Sequence, residues 1–260
     1  MSKPISVRGV VIGDGTPKIC VPIMGNDSSA ILHSLSAALA VQPDILEWRV
    51  DYLADCSPAN AAAVLADIRS AAGETPLLAT FRTRHEGGKQ AITGREYAAL
   101  LATLVNSGMI DLLDMELAML TKTAQVKGVR ELAKQKGIPV IYSSHNFQQT
   151  APKESLVKIL KAMIRLDCDI AKLAVMPQTS GDVLTLLAAT DEMKRLNPDQ
   201  PIITMSMGQL GMISRLSGGA FGSAITFGSA ESASAPGQIP ALQLREMLNV
   251  LQNSTNSSQS

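Results

Sequence analysis

The stretch that decides the fold is Asp169-Ile170-Ala171-Lys172-Leu173-Ala174-Val175-Met176-Pro177. It is apolar at nearly every position and ends at a proline, which cannot continue a hydrogen-bonded ladder, so it predicts a buried strand. Lys172 stands in the middle of that strand, and lysine is almost never fully buried without a partner. Because burial disfavours the ammonium form, two interpretations are open. Lys172 is either an amine able to form a Schiff base with a ketone or aldehyde, or a side chain that snorkels or pairs with a carboxylate.

Short apolar runs of this kind recur along the 260-residue chain, with helix-like stretches between most of them. The predicted barrel strands are Ile19–Met24, Ile45–Val50, Leu77–Phe81, Ile110–Leu117, Val140–Tyr142, Ile170–Val175, Ile202–Met205 and Ala224–Phe227. The predicted helices are Ser28–Val41, Ser57–Ala72, Thr93–Asn106, Thr121–Lys136, Pro152–Leu166, Asp182–Leu196 and Ala241–Leu251. The seventh connection, Gly208–Gly219, is shorter and rich in glycine. Eight strand–helix units without a linker predict an α/β fold, a single (β/α)8 TIM barrel, rather than a doubly wound open sheet.

An additional strand precedes the repeat at Val7–Ile12 and is followed by the turn sequence Gly13-Asp14-Gly15. We expect it to form an N-terminal β-hairpin that closes the bottom of the barrel. The tail Asn253–Ser260 consists of Asn, Ser, Thr and Gln, which have nothing to bury. The predicted organisation is one barrel domain over residues 1–252 and a disordered tail over residues 253–260.

The composition argues against several classes of partner. Lys+Arg and Asp+Glu number 23 each, so the formal net charge is zero, and aromatic residues make up 3% of the chain. A nucleic acid or a membrane surface is therefore not the expected partner. The N-terminus lacks the apolar run of a signal peptide, and no stretch approaches the roughly 20 apolar residues of a membrane span. The three cysteines have no paired spacing, so we expect reduced thiols in a cytoplasmic protein.

Polar residues end several consecutive strands, at the place where barrels of this kind carry out chemistry. They are Glu47, Arg49 and Asp51 on strand two, Arg82 and Glu86 after strand three, Asp114 and Glu116 on strand four, His145 after strand five and Lys172 on strand six. Five of them could instead form an ion-pair layer that supports the site, namely Glu47, Arg49, Asp51, Asp114 and Glu116. No spacing among them is typical of a metal site.

His145 is the histidine predicted to end a strand, next to the strand of Lys172. Imidazole titrates near neutrality, so it can act as acid and as base in one cycle. A lysine and a histidine on adjacent strands indicate imine formation followed by proton transfer at the neighbouring carbon. Glu86 is a candidate for the acid that orients the histidine.

Seven blocks of sequence carry a resemblance to a known family. They are Glu47-Trp48-Arg49, Phe81-Arg82 with Glu86-Gly87-Gly88, Asp114-Met115-Glu116-Leu117, Ser143-Ser144-His145-Asn146-Phe147, Lys172-Leu173-Ala174-Val175-Met176-Pro177, Ile213-Ser214-Arg215 and Ser232-Ala233-Ser234-Ala235-Pro236-Gly237-Gln238. In this order they resemble the type I 3-dehydroquinate dehydratases, from about the first barrel strand to the last helix. Asn146 and Ser144 depart from the family's usual Asp and Asn.

The resemblance implies a (β/α)8 barrel, usually a homodimer, that dehydrates 3-dehydroquinate to 3-dehydroshikimate in the shikimate pathway of aromatic amino acid biosynthesis, without a metal or organic cofactor. It implies that Lys172 forms the Schiff base, that His145 is the general acid–base and that Glu86 is the acid beside it. Arg215, expected in the short connection before strand eight, is implied to clamp the substrate carboxylate. The other residues implied to contact, support or cover the substrate are Glu47, Arg49, Arg82, Ser234 and Gln238.

Two other functions remain open at this point. A class I aldolase acting on a phosphorylated sugar would also use a barrel lysine, and Ser217-Gly218-Gly219 resembles a backbone phosphate cradle. A barrel without activity, kept as a binding or scaffold protein, is the other, although the set Lys172, His145 and Glu86 argues against it. Competition by inorganic phosphate would distinguish the first, and borohydride trapping with ligand the second.

Overall fold

Parallel strands form the centre of the molecule, a computed structural model in which residues 4–230 and 237–256 are described. The strands are β3 (Lys18–Ile23), β4 (Ile45–Arg49), β5 (Leu77–Thr80), β6 (Leu112–Glu116), β7 (Val140–Asn146), β8 (Ile170–Val175), β9 (Ile202–Ser206), β10 (Ile225–Ser229) and the short β11 (Ile239–Pro240). Neighbours in the sheet follow the chain from β3 to β9, and β10 pairs with β3. A bridge between Ile202 and Ser223 joins the other two edges, where the Ala224 N–H donates to the Ile202 carbonyl at 2.8 Å. The predicted TIM barrel is confirmed.

Helices surround the barrel. They are α1 (Ser28–Ala40), α2 (Pro58–Ala72), α3 (Gly94–Asn106), α4 (Leu117–Lys122), α5 (Ala124–Gln135), α6 (Lys153–Arg165), α7 (Ser180–Leu196), α8 (Gly208–Phe221) and α9 (Ala241–Asn256). Three of them, α1, α3 and α7, begin at a side chain that accepts a backbone N–H of the first turn. Capping boxes begin α3 at Thr93 and Glu96, and α7 at Thr179 and Asp182. No helix within the described residues is long and apolar enough to cross a membrane.

Three predicted segments differ from the observed ones. The helix predicted over Thr121–Lys136 is interrupted at Thr123, whose extended backbone (φ −131°, ψ 115°) separates α4 from α5. The connection Gly208–Gly219 is not a short Gly-rich link but the 14-residue helix α8, because its glycines allow close packing: a Cβ at Gly211 would collide with the Ser206 carbonyl of β9. Helix α9 continues to Asn256, five residues beyond its predicted end at Leu251.

The N-terminal hairpin closes the barrel as predicted, but its turn was wrongly placed at Gly13-Asp14-Gly15. Strands β1 (Ile5–Val7) and β2 (Val10–Ile12) pair antiparallel, and the turn is Arg8-Gly9, with φ of 44° and 80°. Val7 and Ile12 are buried against the residues that begin the barrel strands, among them Cys20, Ile45, Leu78, Leu112, Ile141, Ile170, Ile203 and Ile225. The hairpin therefore lies at the end opposite the carboxyl ends of the strands.

Candidate active site

A cavity of about 220 Å³ opens at the carboxyl ends of the barrel strands. The predicted site residues that line it are Glu47, Arg49, Arg82, Glu86, His145, Lys172, Arg215 and Gln238. Ser234 lies outside the described residues. Residues brought together in this way are up to 191 positions apart in the chain, from Glu47 to Gln238, so barrel closure assembles the cavity.

Lys172 lies on β8 with its side chain inside the barrel, and only 3% of the residue is exposed. Its Nζ is 3.5 Å from Glu47 Oε1 and 3.6 Å from Asp114 Oδ2. These separations are long for a hydrogen bond, so each carboxylate acts on the ammonium mainly through its charge. The Phe227 ring covers the amine, with its centroid 4.5 Å from Nζ. The side chain of Lys172 thus presents a primary amine, the group that attacks a carbonyl carbon to form a Schiff base, inside the cavity.

His145 and Glu86 form a buried pair next to Lys172. In the parallel register of β7 and β8, Ser143 lies opposite Lys172 and His145 opposite Ala174, two residues closer to the cavity mouth. His145 Nδ1 is 2.9 Å from Glu86 Oε2, and the His145 backbone N–H donates to the same oxygen at 3.0 Å. Because Glu86 Oε2 accepts the backbone N–H, we assign the ring hydrogen to Nδ1, which donates to the same oxygen and leaves the lone pair on Nε2.

Burial disfavours the charged form of both partners. It lowers the pKa of His145 well below its ordinary value, and the positive charges of Arg82 and Lys172 lower it further. Burial also raises the pKa of Glu86 to about 8, against the opposing charge of Arg82. His145 is therefore a neutral base at neutral pH.

Glu86 is presented by a short 3-10 turn, Arg84–Glu86, after strand β5. Gly87 ends the turn with φ of 86°, a conformation that favours glycine, and its missing side chain leaves room for the ring of Phe147. Thr83, just before the turn, donates from its backbone N–H and its hydroxyl to Glu116 at 2.7 and 2.8 Å. A carboxylate on β6 thus anchors the segment that carries Glu86.

Arg82 connects the carboxylates of the site. Its guanidinium donates to Asp114 at 2.9 Å, to Ser143 at 2.9 Å and to Glu116 at 3.1 Å, and it lies 3.5 Å from Glu86. Burial opposes the ionisation of Asp114, but the charges of Arg82 and Lys172 outweigh it and lower the pKa of Asp114. The ion-pair layer that the sequence left open therefore exists, and Arg82 is its centre.

Arg49 is held in a bidentate pair by Asp51, with Nε–Oδ1 and Nη2–Oδ2 distances of 2.8 Å. Asp51 also accepts from the backbone N–H groups of Arg82 and Lys89, at 3.3 and 3.1 Å. The pair thus fixes both ends of the loop that contains Glu86, while Arg49 still lines the cavity.

Arg215 does not lie in a short loop, as the sequence predicts, but in helix α8, where it is 2% exposed. Its Nη1 is 3.7 Å from Met205 Sδ. Burial lowers the pKa of Arg215 to about 10, still well above neutrality. A buried, charged guanidinium at the cavity wall is suited to a planar carboxylate.

Other cavity residues carried no chemical signal in the sequence. They are Tyr52, Lys89, Phe147, Ala174, Met205, Met207 and Phe227. Apolar residues at strand ends, such as Met205 and Met207, are typical of the core, and only the curvature of the barrel turns them toward the cavity. Among the described residues, no group of three His, Cys, Asp or Glu is arranged to hold a metal ion.

Comparisons with known proteins identify relatives over nearly the whole chain. The family model for type I 3-dehydroquinase matches residues 19–255. The 3-dehydroquinate dehydratases of Salmonella agona and Bacillus velezensis are each 46% identical, over 96% and 95% of this chain and 98% and 97% of their own length. The type I 3-dehydroquinate dehydratase of Clostridium difficile, solved with covalent modified comenic acid, is 43% identical and superposes with a TM-score of 0.93 over 98% of this chain and 100% of that chain. The 3-dehydroquinate dehydratase of Geobacillus kaustophilus is 40% identical, with a TM-score of 0.92 over 96% of this chain and 97% of that chain.

Proposed function

Because the chain belongs to the type I 3-dehydroquinase family of hydro-lyases, we propose that it dehydrates 3-dehydroquinate through a Schiff base on Lys172. The observation that carries this proposal is the amine of Lys172, buried at the cavity beside the His145–Glu86 pair. The covalent ligand of the similar Clostridium difficile enzyme supports covalent chemistry in this family.

The reaction begins when the neutral Lys172 amine attacks the C3 ketone. Loss of water gives an imine, which regains on its nitrogen the proton that Lys172 released before the attack. The resulting iminium withdraws electrons from the adjacent C2 position. Glu47 and Asp114, at 3.5 and 3.6 Å from Nζ, stabilise the positive charge that the iminium carries. The iminium thus takes the part that a metal ion plays in other lyases, so neither a metal nor an organic cofactor is needed.

His145 then removes the C2 proton through Nε2, and the electrons move into the iminium to form an enamine. Collapse of the enamine expels the C1 hydroxyl, which takes a proton from the imidazolium and leaves as water. Hydrolysis of the remaining imine releases 3-dehydroshikimate and returns Lys172. Glu86 keeps the imidazole oriented through Nδ1.

The remaining cavity residues hold the substrate. Arg215 binds its carboxylate with two N–H groups, and Glu47, Arg49 and Arg82 contact the ring hydroxyls or support those that do. Gln238, which lines the cavity, covers the bound ring. We place the reaction in the shikimate pathway for aromatic amino acids and in the cytoplasm, with a homodimer as the assembly.

The structure does not support the phosphate-binding loop on which the alternative aldolase function depends. Ser217, Gly218 and Gly219 lie inside helix α8, not in a loop before it, and a Cβ at Gly219 would collide with Pro17. Gly219 therefore serves packing, and the backbone N–H groups of all three residues are engaged in the helix instead of facing a phosphate.

The proposal is tested by mixing protein with 3-dehydroquinate, reducing with borohydride, and weighing the digested peptides. We expect an adduct on Lys172, none in Lys172→Ala, and a normal yield in Lys158→Ala, a control on the exposed face of α6. His145→Ala keeps the amine but lacks the base, so the adduct should form while turnover falls about 10²–10⁴-fold. An adduct on another lysine, or normal turnover by His145→Ala, would refute the mechanism.

A further inference from the structure

Lys89 is a cation at the cavity rim that the proposed mechanism does not use. It is exposed, it lines the cavity, and its Nζ is 5.1 Å from the centroid of the Tyr52 ring. The guanidinium of Arg49 is 5.1 Å from the same centroid. Two cations and an aromatic ring thus form one patch, here called the Tyr52 rim, defined by Arg49, Tyr52 and Lys89.

The two cations of the Tyr52 rim differ in their partners. Arg49 is neutralised by its bidentate pair with Asp51. For Lys89, no carboxylate oxygen among residues 4–230 and 237–256 lies within the 4.0 Å of an ion pair. The charge of Lys89 therefore attracts anions that approach the mouth of the cavity from solvent. For the same anions, the charge of Arg49 is largely cancelled by that of Asp51.

The position of Lys89 is set by its backbone, not by its side chain. The Lys89 N–H donates to Asp51 Oδ2 at 3.1 Å, and its carbonyl accepts from Arg84 Nη2 at 3.3 Å. Both hydrogen bonds survive any substitution other than proline. The side chain can therefore be changed without releasing the loop that carries Glu86.

We propose that the Lys89 ammonium is the encounter site for the substrate, attracting the carboxylate of an anionic ring acid to the Tyr52 rim before Arg215 binds it. This inference rests on the proposed function, which supplies a substrate with one carboxylate. A charge at the rim of a cleft raises the local concentration and the association rate of an oppositely charged ligand. Lys89 is thus a determinant of specificity for anions, acting on capture and not on the chemical step.

The test measures kcat and KM for 3-dehydroquinate as a function of ionic strength, in the full chain. At low salt, Lys89→Gln should lower kcat/KM by about 3–10-fold, with the loss in KM, and Lys89→Glu should lower it further. Near 1 M salt, where the screening length is about 3 Å, the curves should converge. Lys89→Arg, which keeps the charge, should restore the salt dependence of the unsubstituted protein.

The matched control is Lys136→Gln, which removes the same charge from the exposed end of α5, at the hairpin end of the barrel. It should follow the unsubstituted protein at every salt concentration. Parallel curves for Lys89→Gln and the unsubstituted protein would overturn the encounter site, as would an equal loss of kcat at all salt concentrations. Absence of turnover by the unsubstituted protein would instead overturn the proposed function, and the encounter site with it.

Discussion

At the scale of single residues, the site is a set of buried charges that neutralise one another. Arg82 donates to Asp114 and Glu116, and Lys172 faces Glu47 and Asp114. Burying a charge costs free energy unless partners and hydrogen bonds replace the lost water. For Lys172 the partners are Glu47 and Asp114, which come from other barrel strands. Their charges offset part of the free-energy cost of burying the lysine.

Arg215→Lys tests the carboxylate clamp. Lysine keeps the apolar stem beside Met205 but loses the two parallel N–H groups, so transition-state binding should weaken by roughly 2–5 kcal/mol. The measurement is kcat/KM for 3-dehydroquinate, with circular dichroism to verify that α8 is intact. Arg165→Lys, on the exposed end of α6, is the control and should have no effect. A near-normal kcat/KM for Arg215→Lys would contradict the assignment.

The raised pKa of Glu86 predicts how stability depends on pH. Its ordinary value is 4.5 and burial raises it to about 8, so between these values the folded protein binds a proton that the unfolded chain has lost. Stability should therefore fall as pH rises through this window. The lowered pKa of His145 has the opposite effect, but only below its ordinary value of 6.5. As pH rises from 6.5 to 8 the opposing effect of His145 fades, and the effect of Glu86 on the free energy of unfolding dominates.

The measurement is Tm from pH 6.5 to 8.5 in the unsubstituted protein and in Glu86→Gln, which is neutral throughout. We expect the decline in Tm to be shallower in Glu86→Gln. Glu131→Gln, exposed on α5, should retain the original slope. Equal slopes for Glu86→Gln and the unsubstituted protein would show that Glu86 is already ionised at pH 6.5.

At the scale of elements, the loop after β5 is held in place by the turn that follows β4 and by β6. Asp51 accepts from its two ends, and Glu116 accepts from Thr83. The Tyr97 hydroxyl of α3 in turn accepts from the Glu116 backbone N–H at 3.1 Å. Glu86 reaches His145 because this loop cannot shift without breaking buried hydrogen bonds.

Thr83→Val tests this anchoring, because valine keeps the shape and removes only the hydroxyl. Loss of a buried donor to a carboxylate should destabilise the protein by about 1–3 kcal/mol. If the anchor also positions Glu86, kcat should fall and its pH profile should shift, and Thr83→Ser should restore both. The measurements are urea unfolding and the pH dependence of kcat. A stability loss with an unchanged kcat profile would mean that Thr83 contributes to folding alone.

At the scale of the whole molecule, one end of the barrel contributes to stability and the other forms the candidate site. The hairpin closes one end with apolar side chains, and the charged cavity opens at the other. Conservative changes at the closed end should therefore alter stability without altering substrate binding.

Ile12→Ala tests this separation. Ile12 is fully buried, so its truncation should cost about 2–5 kcal/mol in urea unfolding while KM stays unchanged. Val11→Ala in the same strand is the matched control, since Val11 is 36% exposed and should change stability by about 0.5 kcal/mol or less. A raised KM in Ile12→Ala would show that the two ends are coupled.

The sequence by itself determined the barrel strands, most of the helices and the polar residues at the strand ends. The apolar run of β8 was predicted with its observed bounds, Ile170–Val175. The adjacency of Lys172 and His145 followed from consecutive parallel strands, and the hairpin's place followed from its exclusion from the repeat. These features are local or follow from chain order, which is why periodicity and strand sequence were enough to predict them.

Only the tertiary structure decided the pairing of charges and the position of Arg215. Arg82 meets Asp114, Glu116 and Ser143 across 32, 34 and 61 residues. Likewise, α8 is a helix despite its glycines because it packs closely on β9, and this packing turns Arg215 into the cavity. Such contacts exist only once the barrel has closed, because closure brings side chains from strands far apart in the chain into one low-dielectric space. The local sequence around each residue does not specify which distant residue it will contact.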